Sequence, residues 1–178
     1  MSKSFASADY TMGQMNAVAK MMQQQFGDDA VDRFLRGNVE LTVKTHTIDC
    51  DADPFVPDGW KVEEHTKSRQ FEWNTDKVEL YLSDEQKKGF IEGNKIRKLL
   101  KDKHALNANV LDYLLAHPEL IPEEWKGKAI CFWGTIYRNS DGILCVRYLY
   151  WDGHRWHWCG DWLDDYFDNG GLAVLSRK

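Results

Sequence analysis

The sequence predicts an α+β protein, with N-terminal helices, central strands and helices, and a C-terminal three-stranded antiparallel β-meander packed on helices. Three observations carry this expectation. Met15, Val18, Ala19, Met22 and Phe26 recur at the spacing of one helix face, and a second helical period runs through Val110, Leu111, Leu114 and Leu115. Between Ala129 and Asp165 the period changes to two. That stretch holds five of the eight tryptophans and two Asp-Gly pairs, Asp141-Gly142 and Asp152-Gly153, each set between aromatic and β-branched runs.

In chain order, residues 1–10 are small and polar and read as a frayed tail. Thr11 caps a first helix that Gly27 ends. Asp28 or Asp29 starts a shorter one, with Ala30, Val31, Phe34 and Leu35 inward and Gly37 as its stop. Val39, Leu41 and Val43 alternate with polar residues in a strand running towards Ile48. The segment DADPFVPDG, 51–59, is a loop, and Trp60 to Glu64 and Phe71 to Trp73 are short strands. Val78, Leu80 and Leu82 form another strand, after which Ser83 and Gln86 have the spacing of a capping box. The next helix passes through Ile96, Leu99 and Leu100 and carries Lys95, Arg97, Lys98, Lys101 and Lys103. That basic run could touch phosphate or an acidic partner, but most such runs are the wet face of an amphipathic helix. Asn107 or Asn109 caps a further helix, His117-Pro118 ends it, and Pro122 to Trp125 makes one more helical turn. The organisation expected is an N-terminal α/β segment over 11–75 and a C-terminal α+β domain over 76–178, packed as one globule.

The meander strands fall at about 129–138, 143–151 and 155–162. If even-numbered residues pair with even-numbered ones in both hairpins, then Ile130, Phe132, Ile136, Val146, Tyr148, Trp156, Trp158 and Trp162 share a core face. Cys145 then opposes Cys159, and Arg147 opposes His157. Three-residue loops ending in a left-handed glycine give this parity, whereas two-residue turns would reverse it.

The segments NANVLDYLLAHPELIPEEWKGKAICFWGTIYRNSDGILCVRYLYWDGHRWHWCGDWLDD and QMNAVAKMMQQQFGDDAVDRFLRGNVELTV cover about half the chain. They resemble the C-terminal and N-terminal parts of a recurrent group of small uncharacterised bacterial proteins, with FWGTIYR and WDG-x-RW the distinctive elements. The group also looks modular, its head and tail segments combining with different middles. It has no assigned reaction or ligand, so the resemblance implies no functional residue.

A chain of 178 residues with net charge -5 carries no general attraction to polyanions. Its longest apolar runs are too short to span a bilayer, and MSKSFASADYTMG lacks the apolar core of a signal peptide, so a cytoplasmic protein is expected. The cysteines at 50, 131, 145 and 159 include no C-x-x-C and are read as reduced thiols.

The candidate binding face is the odd-numbered side of the meander: Trp133, Arg147, Trp151, Arg155, His157 and Asp161. Indoles beside guanidinium, imidazole and carboxylate groups are typical of ligand platforms. On this reading Trp133 and Trp151 are partly exposed while Trp156, Trp158 and Trp162 are buried. The competing expectation is that helices cover this side too. Asp161, Asp164, Asp165 and Asp168 would repel nucleic acid, so a protein partner or a small polar ligand is favoured. Cys145, Cys159 and His157 would supply three zinc ligands but lack a fourth, and DWLDDYFDNGG lacks calcium-loop spacing, so neither metal nor cofactor is predicted. No nucleophile, P-loop or metalloprotease motif is present. The expected role is a small soluble binding or interaction protein. The alternative is a hydrolase-like or nucleic-acid-processing enzyme using His157, Asp161 and Arg147.

Overall fold

The computed structural model describes residues 12–26 and 45–177, and the chain divides into two compact units, 1–44 and 45–178. In the first unit α1 spans Met12–Phe26, bounded as the Thr11 cap and the Gly27 stop predict. The predicted helix from Ala30 to Leu35 and the strand residues Val39, Leu41 and Val43 lie outside the described residues. The division falls after Lys44, whereas the sequence places a boundary near 75.

The second unit is α+β. Its strands are β1 (Thr47–Asp49), β2 (Lys61–His65), β3 (Gln70–Glu72), β4 (Val78–Tyr81), β5 (Ile91–Glu92), β6 (Ala129–Arg138), β7 (Leu144–Trp151), β8 (Trp156–Trp162), β9 (Tyr166–Phe167) and β10 (Gly171–Ser176). Its helices are α2 (Asp84–Lys88), α3 (Gly93–Leu99) and α4 (Ala108–Ala116). The capping box forms as expected, Ser83 accepting from the Gln86 amide and Gln86 from the Ser83 amide. Asn107, rather than Asn109, caps α4.

The main sheet runs β4-β10-β6-β7-β8, and β2 also pairs with β6. Strand β10 is antiparallel to β4 but parallel to β6, so the sheet is mixed. Apolar residues cover both sheet faces. Val110, Leu111 and Leu114 of α4 pack with Ile130, Phe132, Leu149, Trp156 and Val174 on one side. Ile96 and Leu100 pack with Cys131, Trp133, Ile136, Val146, Phe167 and Ala173 on the other. Burial on two faces explains why β6 is buried at every position between its ends.

The first hairpin has the expected register, Ile136 against Val146 and Tyr137 against Cys145. Its turn ends in a left-handed glycine, Gly142 at φ 80°. Two departures then rearrange the faces. A register shift between Cys131 and Ile136 leaves Ile130 opposite Leu149. Consequently Ile130 and Phe132 face α4 while Ile136 faces α3, although all three numbers are even. The second hairpin closes on a two-residue turn, with the Asp152 amide donating to the Arg155 carbonyl (3.2 Å) around Gly153 and His154. That turn reverses the parity of β8. Arg147 therefore opposes Gly160 rather than His157, and Cys145 opposes Trp162 rather than Cys159.

Candidate functional site

The predicted binding residues do not share one surface. Arg147 points towards α4 and is fully buried. Its Nη1 and Nη2 donate to both oxygens of Asp112 on α4, at 3.0 and 2.7 Å. Its guanidinium carbon lies 4.3 Å from the Trp158 ring centre and 5.2 Å from that of Phe55. A planar cation with a bidentate carboxylate and stacked aromatic rings is a strut between sheet and helix, leaving Nε as a buried nitrogen without a partner among the described residues. The neighbouring Tyr137 hydroxyl has its pKa raised by burial, an effect that Arg147 partly offsets.

His157 and Asp161 lie on the opposite face of β8, so the enzyme trio does not converge. The His157 ring stacks at 5.6 Å on Tyr150, and its Nε2 lies 2.6 Å from the Asp152 carboxylate. Arg155 Nε reaches the same nitrogen at 3.1 Å. One imidazole nitrogen cannot both donate to Asp152 and accept from Arg155, and the shorter carboxylate contact is the stronger claim. Two backbone amides, of Arg155 and His154, hold the Asp152 carboxyl below the usual carboxylate range, with a smaller contribution from His157. Asp161 is shifted the other way, chiefly by burial.

The tryptophan exposures also differ from expectation. Trp133 is only 7% exposed, while Trp162 is 45% exposed. Trp156 is buried, and Trp151 and Trp158 are half-buried. Lys126 Nζ sits 4.1 Å above the Trp151 ring. Reversed parity at the second turn and cover from α3 account for the exchange.

A concave site forms instead where the edge of β6 is divided. Strand β10 pairs with Ala129 to Cys131, and β2 pairs on the same edge with Thr135 to Arg138. Between them Trp133 and Gly134 are left to loop segments. The Gly134 amide donates to the Leu106 carbonyl (2.9 Å), and the Gly134 carbonyl accepts from the Thr66 amide (2.7 Å). Asn107, itself buried, donates to the Cys50 and Thr66 carbonyls at 2.8 and 3.0 Å and holds this wall in place.

Opposite stands α3. Asn94, Arg97, Lys98 and Lys101 follow helical spacing, so they share one side of the helix and its continuation. Together with Glu64, Thr66, Leu100, Lys103, Ala105, Trp133 and Gly134 they enclose a cleft of about 450 Å³. Arg97 is engaged by Glu64, with Nε donating to Oε2 at 3.2 Å and Nη2 to Oε1. Lys103 Nζ lies 4.8 Å over the Tyr81 ring. Among the described residues no carboxylate forms an ion pair with Lys98, Lys101 or Lys103. The cleft can therefore hold an anion on ammonium groups above a floor that includes an indole.

Of the predicted site residues only Trp133 lines this cleft. Its basic wall corresponds to the Lys95-to-Lys103 run, visible in the sequence as an amphipathic wet face. What the run lacked was its opposite wall, which long-range strand pairing supplies. No protein-family model, curated protein or solved structure matches this chain.

Proposed function

We propose that the protein is a small binding module and that its ligand is a small anion held in the cleft between α3 and the divided edge of β6. The observation that carries this reading is the gathering of Arg97, Lys98, Lys101 and Lys103 around one concavity lined, among the described residues, by a single carboxylate, that of Glu64. In a chain of net charge -5, such a cleft concentrates positive potential where the rest of the surface would repel an anion. Its volume lies within the range of about 300–1,000 Å³ usual for small-molecule sites. On this reading Arg147 is a structural strut, and Trp133 is the member of the predicted face that meets the ligand. A hydrolytic reading has less support, because His157 and Asp161 of β8 stand on one face of the sheet and Arg147 of β7 stands on the other.

Calorimetric titration of the full chain with sulfate, citrate and pyrophosphate tests the proposal. At least one anion is expected to bind, more weakly as salt rises, and to lose affinity when Lys98→Glu and Lys101→Glu are combined. Absence of binding by all three, or equal binding by the double variant, would reject the cleft as the site.

A further inference from the structure

The cleft's chemistry narrows the class of anion. The planar fork of arginine offers two parallel donors that match carboxylate and phosphoryl groups alike, whereas lysine is a compact point charge that can meet the oxygens of a phosphoryl group from any direction. The lining has one guanidinium, that of Arg97, and both oxygens of Glu64 already engage it. The donors left are ammonium groups: Lys98 and Lys101, one helical turn apart, and Lys103 from the following loop. Three such charges around one cleft fit an anion with several phosphoryl oxygens better than a single carboxylate.

The ends of the cleft set a limit on ligand length. Asn94 lies at the α3 start, where its side-chain amide donates to Asp164 at 2.7 Å and lies 3.4 Å from Glu92. Its backbone amide bonds to the Leu163 carbonyl at 2.9 Å, which fixes the acidic turn beside the basic wall. A polynucleotide running through the cleft would have to pass these carboxylates. A compact anion would not.

We infer that the ligand is a small molecule bearing a diphosphate or triphosphate group, bound by Lys98, Lys101 and Lys103, with Glu64 and Asp164 bounding the charge it can present. This rests on the cleft being the binding site proposed above. Glu64 acts as a resident competitor. Removing its charge relieves repulsion of the ligand and frees the Arg97 fork.

The test compares pyrophosphate with citrate, two anions of similar charge near neutral pH, on the wild-type chain and on Glu64→Gln, Lys98→Gln and Lys101→Gln. All three positions are solvent-exposed, and an unchanged thermal transition without ligand serves as the folding control. Pyrophosphate is expected to bind at least tenfold more tightly than citrate. Each lysine variant should weaken it by about tenfold, the scale of one hydrogen bond to a charged group, and Glu64→Gln should strengthen it. Citrate binding as tightly as pyrophosphate would overturn this inference while leaving the anion cleft intact. A failure of every anion would remove both. Tighter binding of a single-stranded oligonucleotide than of tripolyphosphate would overturn the length limit.

Discussion

A Cβ built on Gly134 would lie 2.6 Å from the Ala105 carbonyl oxygen and 2.9 Å from the Asn107 amide nitrogen and Cα. All three are backbone atoms, so nothing can swing aside, and Gly134→Ala is expected to destabilise by about 1–3 kcal/mol as overpacking does. Gly160 offers a contrast, because its nearest obstacle is the far edge of the Trp60 indole at 2.4 Å. Trp60 is only partly buried and can shift, so urea denaturation should rank Gly160→Ala as the milder change. The same denaturation applied to Asp112→Ala tests the strut. Leaving Arg147 buried without its carboxylate should cost about 3 kcal/mol, the low end for broken buried pairs because Asp112 remains 30% exposed. A loss below about 1 kcal/mol would show that water or another group satisfies the guanidinium. Thiol chemistry supplies a further check. Cys50, Cys131 and Cys145 are buried and Cys159 is exposed. Burial raises the pKa of the first three thiols, that of Cys145 to about 11. A thiol reagent on the folded protein should therefore modify Cys159 first. Rapid labelling of the other three would contradict the packing.

Among the elements, the turn between β7 and β8 has a pH dependence that follows from its hydrogen bonds. The Asp152 carboxylate accepts from the amides of His154 (2.8 Å) and Arg155 (2.9 Å), which depresses its pKa in the folded state. A depressed carboxylate adds stability above the ordinary aspartate pKa of about 3.9, and that contribution fades as pH falls below it towards the folded value. Chemical-shift titration of Asp152 should show a midpoint below that of a model aspartate, and Asp152→Ala should remove this step. A normal midpoint would mean that the amides are not held. This turn also marks where sequence reasoning stopped. Asp-Gly correctly located both hairpins, but the dipeptide does not say how many residues the loop contains. One residue decides which tryptophans face α4. At the capping box, by contrast, every interacting group lies within four residues, and Ser83 with Gln86 could be read directly. Strand β10 was missed for a third reason. Leu172, Ala173, Val174 and Leu175 show no alternation, because a strand in the middle of a mixed sheet is apolar on both sides.

At the scale of the molecule, the α+β class followed from local periods, since helices and strands each bury one recognisable pattern. The binding cleft did not, because its walls are far apart in sequence. Lys98 comes from α3, Lys101 from the turn that follows it, Thr66 from the loop after β2, and Trp133 from β6. The predicted exposed face differs from the observed covered one in the parity of the second turn and in the number of layers, and layers are a property of assembly. The second unit has no described helix long and apolar enough to cross a membrane. If the cleft has the proposed role, saturating pyrophosphate should raise the unit's melting temperature, and Lys98→Glu combined with Lys101→Glu should abolish that rise without lowering the unliganded value.

The position of β10 has a consequence in time. Leu80 of β4 and Ile130 of β6 are joined through Val174 and Leu172 of the same strand, so among the described residues β4 has no sheet neighbour until β10 is seated. In chain order β10 follows β8 and β9 directly, so its partners β4 and β6 have both been synthesised by the time it is made. Contacts of such high sequence separation slow folding to milliseconds or longer. Until β10 is seated, the part of the β6 edge from Ala129 to Cys131 stays open beside the part that β2 covers, and that short stretch is where another strand could pair.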